Sequence, residues 1–146
     1  MSAYFAYGAN CSSRQMAMRC PGAVALGAAR LEGFRLAFDR PSRRWGACAA
    51  DVVPDPTAST WGVAWEVDEG HLARLDRFEG VATGGYFRDS QVIVAGGRSF
   101  PAEVYRVVTP AAEGAPSGRY LHTILEGARE FGLPGEWLRY LCSLQA

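Results

Sequence analysis

The apolar positions of this chain fall mostly into short runs or strict alternation, a pattern typical of β-strands. The alternation is clearest at Phe34–Phe38, where the side chains at 34, 36 and 38 would share one face. The first predicted strand is 2–7, and segment 23–40 is predicted as one long bent strand or as two strands. Two further strands, 45–53 and 59–67, are predicted on either side of a Pro-Asp-Pro loop at 54–56. The last two, 86–95 and 99–108, are predicted to form a hairpin across Gly96-Gly97. Six or seven strands are therefore expected.

Helical periodicity is confined to four segments. The most informative one follows Asp68, a good N-cap, and carries Leu72, Leu75 and Phe78 on one stripe before Gly80 ends it. The other helices are predicted at 12–20, with Ser12 or Ser13 as N-cap, at 119–133, and at 134–144, where Pro134 lies near the start. All four helices are short.

The order of these elements predicts an α+β fold. Most neighbouring strands are joined by tight turns rather than by helical crossovers, so a mixed or mainly antiparallel sheet is expected, which can close into a barrel. The same order argues against a doubly wound nucleotide-binding fold. The 146 residues contain no internal repeat or obvious linker, which predicts a single domain over 1–146.

Composition narrows the functional classes. Apolar residues make up 49% and charged residues 21% of the chain, the balance of a soluble globular protein. The formal net charge is zero, which argues against a nucleic-acid binder, and the densest basic patch, Arg40–Trp45, is interpreted as a solvated loop. All fifteen basic residues are arginine, so lysine Schiff-base chemistry and a P-loop are excluded.

The sequence predicts neither membrane insertion nor a metal site. No apolar stretch approaches the ~20 residues of a membrane span, and the N-terminus has no signal-peptide pattern, so a cytoplasmic protein is expected. The four cysteines contain no C-x-x-C pair, and the two histidines, at 71 and 122, lie far apart. The cysteines, at 11, 20, 48 and 142, are expected to be buried as small apolar side chains.

The turn after the first strand, Tyr7-Gly8-Ala9-Asn10, is the first candidate site. Glycine and asparagine commonly end a strand, so a purely structural turn is the simpler interpretation. Glycine also lets a ligand approach the backbone closely, and successive N–H groups at a turn can hold an oxyanion. The residues alone leave both interpretations open.

Glu79, in the stretch Leu-Asp-Arg-Phe-Glu-Gly at 75–80, is the second candidate. It shares the apolar stripe of Leu72 and Leu75 by helical spacing, so its carboxylate is expected to point inward. It also ends a helix, where the macrodipole disfavours an anion. Both effects would raise its pKa and suit it to general base catalysis, while an exposed Glu at a fraying helix end is the alternative.

Tyr86 and Tyr120 form a third, weaker candidate pair of loop aromatics. Each follows a glycine-containing turn, and ordinary packing explains either one when it is taken alone. Asp76 is interpreted as a solvated helix residue, and neither histidine is given a catalytic role.

Three motifs together resemble those of the gamma-glutamylcyclotransferases: "YFAYGAN" at 4–10, "LDRFEG" at 75–80 and "GGYFR" at 84–88. The similarity continues through 29–38, 61–81 and 115–134, in the same order and spacing. It implies a small mixed β-barrel flanked by helices, with a pocket at one mouth. It also implies the family's reaction, in which the α-amine of a γ-glutamyl group attacks its own γ-carbonyl, giving 5-oxoproline and a free amine.

The resemblance also implies residue roles. Glu79 matches the catalytic acid/base, and Tyr86 and Tyr120 match tyrosines of the pocket. The substrate-binding loop corresponds to Tyr4, Phe5, Ala6, Tyr7, Gly8, Ala9 and Asn10. Ala9 stands where many relatives carry serine, and alanine is adequate if the loop acts through its backbone N–H groups. No cofactor and no metal are implied.

The expected partner is a small γ-glutamyl substrate, bound by a monomer or homodimer that contacts neither nucleic acid nor membrane. The amine half is expected to meet segments 39–46 and 109–119, which the resemblance does not fix. A γ-glutamyl amino acid or dipeptide, a γ-glutamyl amine and a γ-glutamylated intermediate of natural-product assembly all stay open. Two alternatives also stand: a non-catalytic member that binds a small ligand or a partner, and an amide hydrolase that releases glutamate.

Overall fold

The computed structural model describes residues 1–144, in which five strands close into a barrel flanked by four helices. The strands are β1 (Ser2–Ala6), β2 (Val24–Ser42), β3 (Ala47–Val67), β4 (Tyr86–Ala95) and β5 (Arg98–Val107). The helices are α1 (Ser13–Arg19), α2 (Glu69–Phe78), α3 (Gly118–Glu130) and α4 (Gly135–Ser143), with 3₁₀ turns at Ala9–Cys11 and Val81–Thr83. The predicted α+β fold with a mixed β-barrel is confirmed.

The barrel has the strand order β1-β3-β2-β4-β5. Every pair within that order is antiparallel, and β1 closes the barrel by pairing in parallel with β5, Tyr4 opposite Glu103. β1 is therefore held between two strands, so the loop that leaves its end at Ala6 starts from a fixed position. The predicted hairpin of β4 and β5 is confirmed, with Ala95 paired to Arg98.

Five strands replace the six or seven expected, because the two segments around the Pro-Asp-Pro stretch belong to one strand, β3. That stretch was wrongly predicted as a loop. The register of β2 against β3 shifts between Glu32 and Phe34, which pair with Ser59 and Pro54. The shift leaves residues 55–58 of β3 without partners in β2, and Pro54 lies at its edge, so the prolines fall at or beside an interruption of the ladder, where a missing N–H donor is tolerated.

Helix α2 starts and ends as its sequence predicts. The Asp68 side chain accepts a hydrogen bond from the His71 N–H at 2.8 Å, and the His71 ring accepts one from the Asp68 N–H at 3.1 Å. Gly80 ends the helix in the left-handed conformation, with φ of 66°. The helix therefore begins after Asp68 and ends before Gly80, and Glu79 is its C-cap residue.

Helix α3 packs tightly against the loop that follows β1. A Cβ on Gly127 would lie 2.2 Å from the carbonyl carbon of Cys11, so only glycine permits this approach. The Ser12 hydroxyl caps α1 by accepting from the Gln15 N–H and donates to the Glu126 carboxylate of α3 at 2.7 Å. The loop carrying Gly8 is thereby clamped between the barrel and α3.

Alternate residues of β1 and the loop after it belong to two different hydrophobic clusters of the core. Phe5 and Tyr7 join a cluster that extends to helices α3 and α4, whereas Tyr4 and Ala6 join a second cluster with residues of α1 and α2. This alternation follows from the two faces of a strand.

The cysteines were predicted correctly only in part. Cys11 and Cys20 are buried as expected, but Cys48 is only half-buried and Cys142 is exposed, since α4 turns that side outward. Within residues 1–144, no helix is long and apolar enough to cross a membrane.

Candidate functional site

A cavity of about 350 Å³ opens at one mouth of the barrel, a volume suited to a small ligand. Its wall combines the loop after β1, the C-terminal end of α2, the start of β4 and the start of α3. The candidate residues Tyr7, Gly8, Glu79, Tyr86 and Tyr120 all line it. The fold thus brings together side chains that lie far apart in the sequence.

The expected substrate-binding loop lines the cavity only in part. Tyr4, Ala9 and Asn10 are on its wall, but Phe5 and Ala6 are fully buried in the core and do not reach it. Both belong to the paired part of β1, where their side chains pack in the core, and their binding role stays a prediction.

Glu79 presents a largely buried carboxylate, 18% exposed, to the cavity. Arg19 is the nearest cation, with its Nη1 at 4.0 Å from the Glu79 Oε1. Burial raises the pKa of Glu79 above its usual value, and the guanidinium groups of Arg19, Arg44 and Arg40 oppose that rise. A carboxylate with a raised pKa is a better proton acceptor than an exposed one, and it can return the proton it takes up.

Tyr120 and Tyr86 bind the two polar backbone atoms of one residue, Ala50. The Ala50 N–H donates to the Tyr120 hydroxyl at 2.9 Å, and the Tyr86 hydroxyl donates to the Ala50 carbonyl at 2.7 Å. Tyr120 therefore keeps its own hydrogen available for a ligand, whereas Tyr86 keeps lone pairs. Both tyrosines are at most 8% exposed, so they are buried cavity residues rather than loop aromatics.

Gly8 leaves space next to the Tyr120 hydroxyl. A Cβ on Gly8 would lie 2.8 Å from that oxygen, and the φ of Gly8 is −113°, so space rather than backbone conformation calls for glycine. Within residues 1–144, the N–H groups of Gly8 and Ala9 donate to no protein acceptor. A carbonyl oxygen approaching Gly8 would therefore meet free N–H donors beside the hydroxyl of Tyr120.

Asn10 is fixed at the floor of the cavity. Its Nδ2 donates to the Tyr4 hydroxyl at 3.0 Å, and its backbone carbonyl accepts from the Trp65 ring N–H at 3.0 Å. The buried Oδ1 of Asn10 has no hydrogen-bond partner among the described residues. A buried acceptor left in this state is costly, so the geometry favours a ligand donor there.

The sequence analysis missed the basic wall of the cavity. Arg19, Arg40, Arg43 and Arg44 line it, and the segment Arg40–Trp45, interpreted from the sequence as a solvated loop, forms one side. The density of arginines was visible in the sequence, but its position against the cavity follows from the turn between β2 and β3. Nothing in the sequence around Arg19 indicated that it would line a cavity.

Asp76 also differs from its expected solvated state. Its carboxylate accepts a hydrogen bond from the Tyr105 hydroxyl at 2.6 Å and pairs with Arg88 at 3.2 Å. Tyr105 lines the cavity and was not predicted as a site residue. Its backbone carbonyl accepts from the Tyr7 hydroxyl at 2.6 Å, which fixes the start of the loop.

Two carboxyl groups, those of Asp39 and Asp51, interact with each other in the interior, and both are at most 3% exposed. Asp51 directly follows Ala50 in β3 and accepts from the Val107 N–H at 3.0 Å. Burial, with the neighbouring Asp39 as a further cause, raises the pKa of Asp51 from 3.8 to about 7. The pair therefore shares one proton in the folded protein below neutral pH.

Replacing Asp51 with asparagine is expected to change how stability depends on pH. The folded protein holds a proton that the unfolded chain releases above pH 4, so wild-type stability falls as pH rises from about 4 to about 7, by at most about 1.4 kcal/mol per pH unit. The asparagine side chain keeps an acceptor for the Val107 N–H without a titrating group. Urea unfolding from pH 4 to 8 should show a smaller fall for Asp51→Asn, and parallel curves would contradict the shared proton.

Comparison with known proteins adds independent information. Residues 59–141 match the model of the AIG2-like family. A gamma-glutamylcyclotransferase of Bos taurus is 34% identical over 147 residues, covering 97% of this chain and 78% of the bovine protein. The corresponding Homo sapiens protein is 32% identical over the same shares. A solved structure described as a gamma-glutamyl cyclotransferase superposes with a TM-score of 0.94 at 30% identity, covering 99% of this chain and 88% of that one.

Proposed function

The chain belongs to the AIG2-like gamma-glutamylcyclotransferase family of enzymes, and from this membership we propose how its cavity carries out the reaction. The substrate is a γ-glutamyl amide, which cyclises to 5-oxoproline and releases an amine. One observation supports this reaction above all: among residues 1–144, Glu79 is the one carboxylate of the cavity wall, and it shares the cavity with the N–H groups of Gly8 and Ala9, which have no protein acceptor there. A proton acceptor and oxyanion donors are what the cyclisation needs.

The first step is the activation of the nucleophile. Glu79 accepts a proton from the α-ammonium group. The raised pKa of the Glu79 carboxyl reduces the difference between its pKa and that of the ammonium group, which favours this transfer. The Asn10 Oδ1 and the lone pairs of the Tyr86 hydroxyl are available to hold the nitrogen. Nucleophile and electrophile belong to one molecule, so folding the glutamyl chain into an attacking conformer supplies much of the rate.

The second step is ring closure. The α-nitrogen forms a bond to the carbonyl carbon of the γ-glutamyl amide, and the carbonyl oxygen becomes an oxyanion that the Gly8 and Ala9 N–H groups and the Tyr120 hydroxyl stabilise. Protonated Glu79 then gives its proton to the leaving nitrogen as the carbon–nitrogen bond breaks. The regenerated carboxylate takes the second proton from the ring nitrogen and passes it to the released amine, which leaves as an ammonium ion. Every atom and proton of the substrate appears in 5-oxoproline or in the amine, so the step requires no external nucleophile.

Incubation with γ-glutamyl-alanine tests this proposal. Mass analysis is expected to show 5-oxoproline and alanine in equal amounts. Glutamate instead of 5-oxoproline would indicate a hydrolase on this fold. Binding of the dipeptide without either product would indicate a non-catalytic member.

Replacing Tyr120 with phenylalanine is expected to lower kcat by about 100-fold, the loss typical of one oxyanion-hole donor. The variant loses the hydroxyl hydrogen beside Gly8 and also leaves the Ala50 N–H without its acceptor. Initial rates of 5-oxoproline formation measure the effect. Tyr140→Phe, a change at a 38% exposed tyrosine of α4, is the matched control and should keep full activity. An unchanged kcat in Tyr120→Phe would remove Tyr120 from the mechanism.

The proposal also covers the domain organisation, oligomeric state, location and partners of the enzyme. We infer that residues 1–146 act as one domain, as a monomer or homodimer, in the cytoplasm and without a nucleic-acid partner. The zero net charge supports the last point. Size-exclusion chromatography with light scattering measures the oligomeric state directly.

A further inference from the structure

The turn between β2 and β3 is an ordered part of the cavity wall. The Trp45 and Gly46 N–H groups both donate to Ser42, at 3.2 Å to its hydroxyl and 3.0 Å to its carbonyl. The Trp45 ring lies 4.7 Å from the Tyr120 ring, and the Arg119 guanidinium lies 4.7 Å from the centre of the Trp45 ring. The arginines of this turn are therefore held at the cavity.

These arginines have no acidic partner in the described part of the chain. Arg40, Arg43 and Arg44 line the cavity, and none lies within 4.0 Å of a carboxylate. Glu79 is the only acidic residue on the described wall, and its nearest cation is Arg19. Four guanidinium groups around one carboxylate leave an excess of positive charge.

Three of these guanidinium groups also pack against neighbouring residues. Arg44 lies over the Phe78 ring at 5.4 Å, while Arg19 lies over the same ring at 4.8 Å. Arg40 packs against Gly85, where a Cβ would lie 2.9 Å from its Nη2. Like charges gathered around one ring repel each other, so the arrangement favours an anionic ligand between them.

The γ-glutamyl half of a substrate supplies only part of that negative charge. Its α-ammonium group faces Glu79, and its single α-carboxylate can pair with one of the three arginines at 40, 43 and 44. Further anionic groups have to come from the amine half, and the planar guanidinium fork is suited to carboxylates. A neutral amine brings no negative charge, a neutral amino acid brings one carboxylate, and an acidic amino acid brings two.

We propose that Arg43 and Arg44, with Arg40, select substrates in which the γ-glutamyl group is attached to an acidic amino acid. This inference rests on the proposed cyclotransferase activity and specifies the leaving group of that reaction. Glutamate and aspartate are the amines of this class. Arg43 and Arg44 are exposed at the rim, where a second carboxylate of the amine half can reach them.

The test compares γ-glutamyl-glutamate with γ-glutamyl-glutamine, which has nearly the same shape and one negative charge fewer. Wild-type kcat/KM is expected to be roughly tenfold higher for γ-glutamyl-glutamate, the gain of one hydrogen-bonded charge pair. The double variant Arg43→Gln/Arg44→Gln should bring the ratio of the two kcat/KM values close to one. Arg98→Gln, at the exposed start of β5, removes one charge away from the cavity wall and should leave the ratio unchanged.

The outcomes separate this inference from the function on which it rests. Equal wild-type kcat/KM values for the two dipeptides would overturn the inference and leave the cyclotransferase activity in place. An unchanged ratio in the double variant would also overturn it. If no dipeptide is turned over, the proposed function fails, and calorimetric titration with each dipeptide then decides the selectivity: equal affinities would overturn it, and tighter binding of γ-glutamyl-glutamate would support it.

Discussion

Replacing Glu79 with glutamine is expected to lower kcat by about 10³-fold, within the range of roughly 10²–10⁴ that general acid–base catalysis contributes. The amide keeps the size of the carboxylate at a largely buried position but cannot accept the proton of the α-ammonium group. Binding of substrate should change much less, because the Gly8 loop and the tyrosines are untouched. Rates of 5-oxoproline formation and calorimetric titration with γ-glutamyl-alanine measure the two effects separately.

Helix α2 supplies a matched control for this variant. Glu69, in its first turn, is exposed and does not line the cavity, so Glu69→Gln should keep wild-type activity. Wild-type kcat should also fall as pH drops below the raised pKa of Glu79, because the protonated carboxyl is no base. Turnover that survives Glu79→Gln unchanged would remove Glu79 from the mechanism.

Replacing Gly127 with alanine is expected to lower the free energy of unfolding by about 3 kcal/mol, at the upper end for overpacked sites. The added Cβ would lie 2.2–2.4 Å from the backbone of Cys11 and Ser12, which cannot move aside as a side-chain tip can. Alanine favours a helix over glycine by about 1 kcal/mol, which offsets only part of that clash. Urea unfolding measures the loss.

The same helix provides the comparison for this second variant. A Cβ on Gly118, at the start of α3, would meet nothing within 4 Å, so Gly118→Ala should keep or slightly raise stability. In the folded fraction of Gly127→Ala, displacement of Cys11 should also disturb the loop from Gly8 to Asn10 and lower kcat/KM. A wild-type unfolding curve for Gly127→Ala would show that α3 does not hold this loop.

Local sequence rules predicted the elements well where the pattern repeats or a cap is present. Asp68 and Gly80 marked the ends of α2, and the glycine pair at 96–97 marked the β4–β5 hairpin. The rules were wrong at the Pro-Asp-Pro stretch, because a register shift against β2 leaves residues 55–58 of β3 unpaired, and this irregularity accommodates prolines that would otherwise end a strand. Pairing with another strand, rather than local propensity, decides such cases.

The candidate site was predictable to different degrees. Helical spacing favoured an inward Glu79 side chain but left an exposed residue at a fraying helix end open, and the structure shows the carboxylate largely buried. Tyr86 and Tyr120 needed the family resemblance, since nothing local distinguishes a cavity tyrosine from a packed one. The resemblance also extended the site to Phe5 and Ala6, which the pairing of β1 places in the core.

The sequence by itself determined most of the strands and both ends of α2, because those depend on neighbours a few residues away. Only the tertiary structure showed that Ala50 joins Tyr120 and Tyr86, and that the arginines at 40, 43 and 44 share a cavity with Glu79. The contacts of Ala50 cross the mouth of a closed barrel between segments 36 to 70 residues apart. Long-range closure of this kind leaves no periodic pattern in the chain, so it had to be observed.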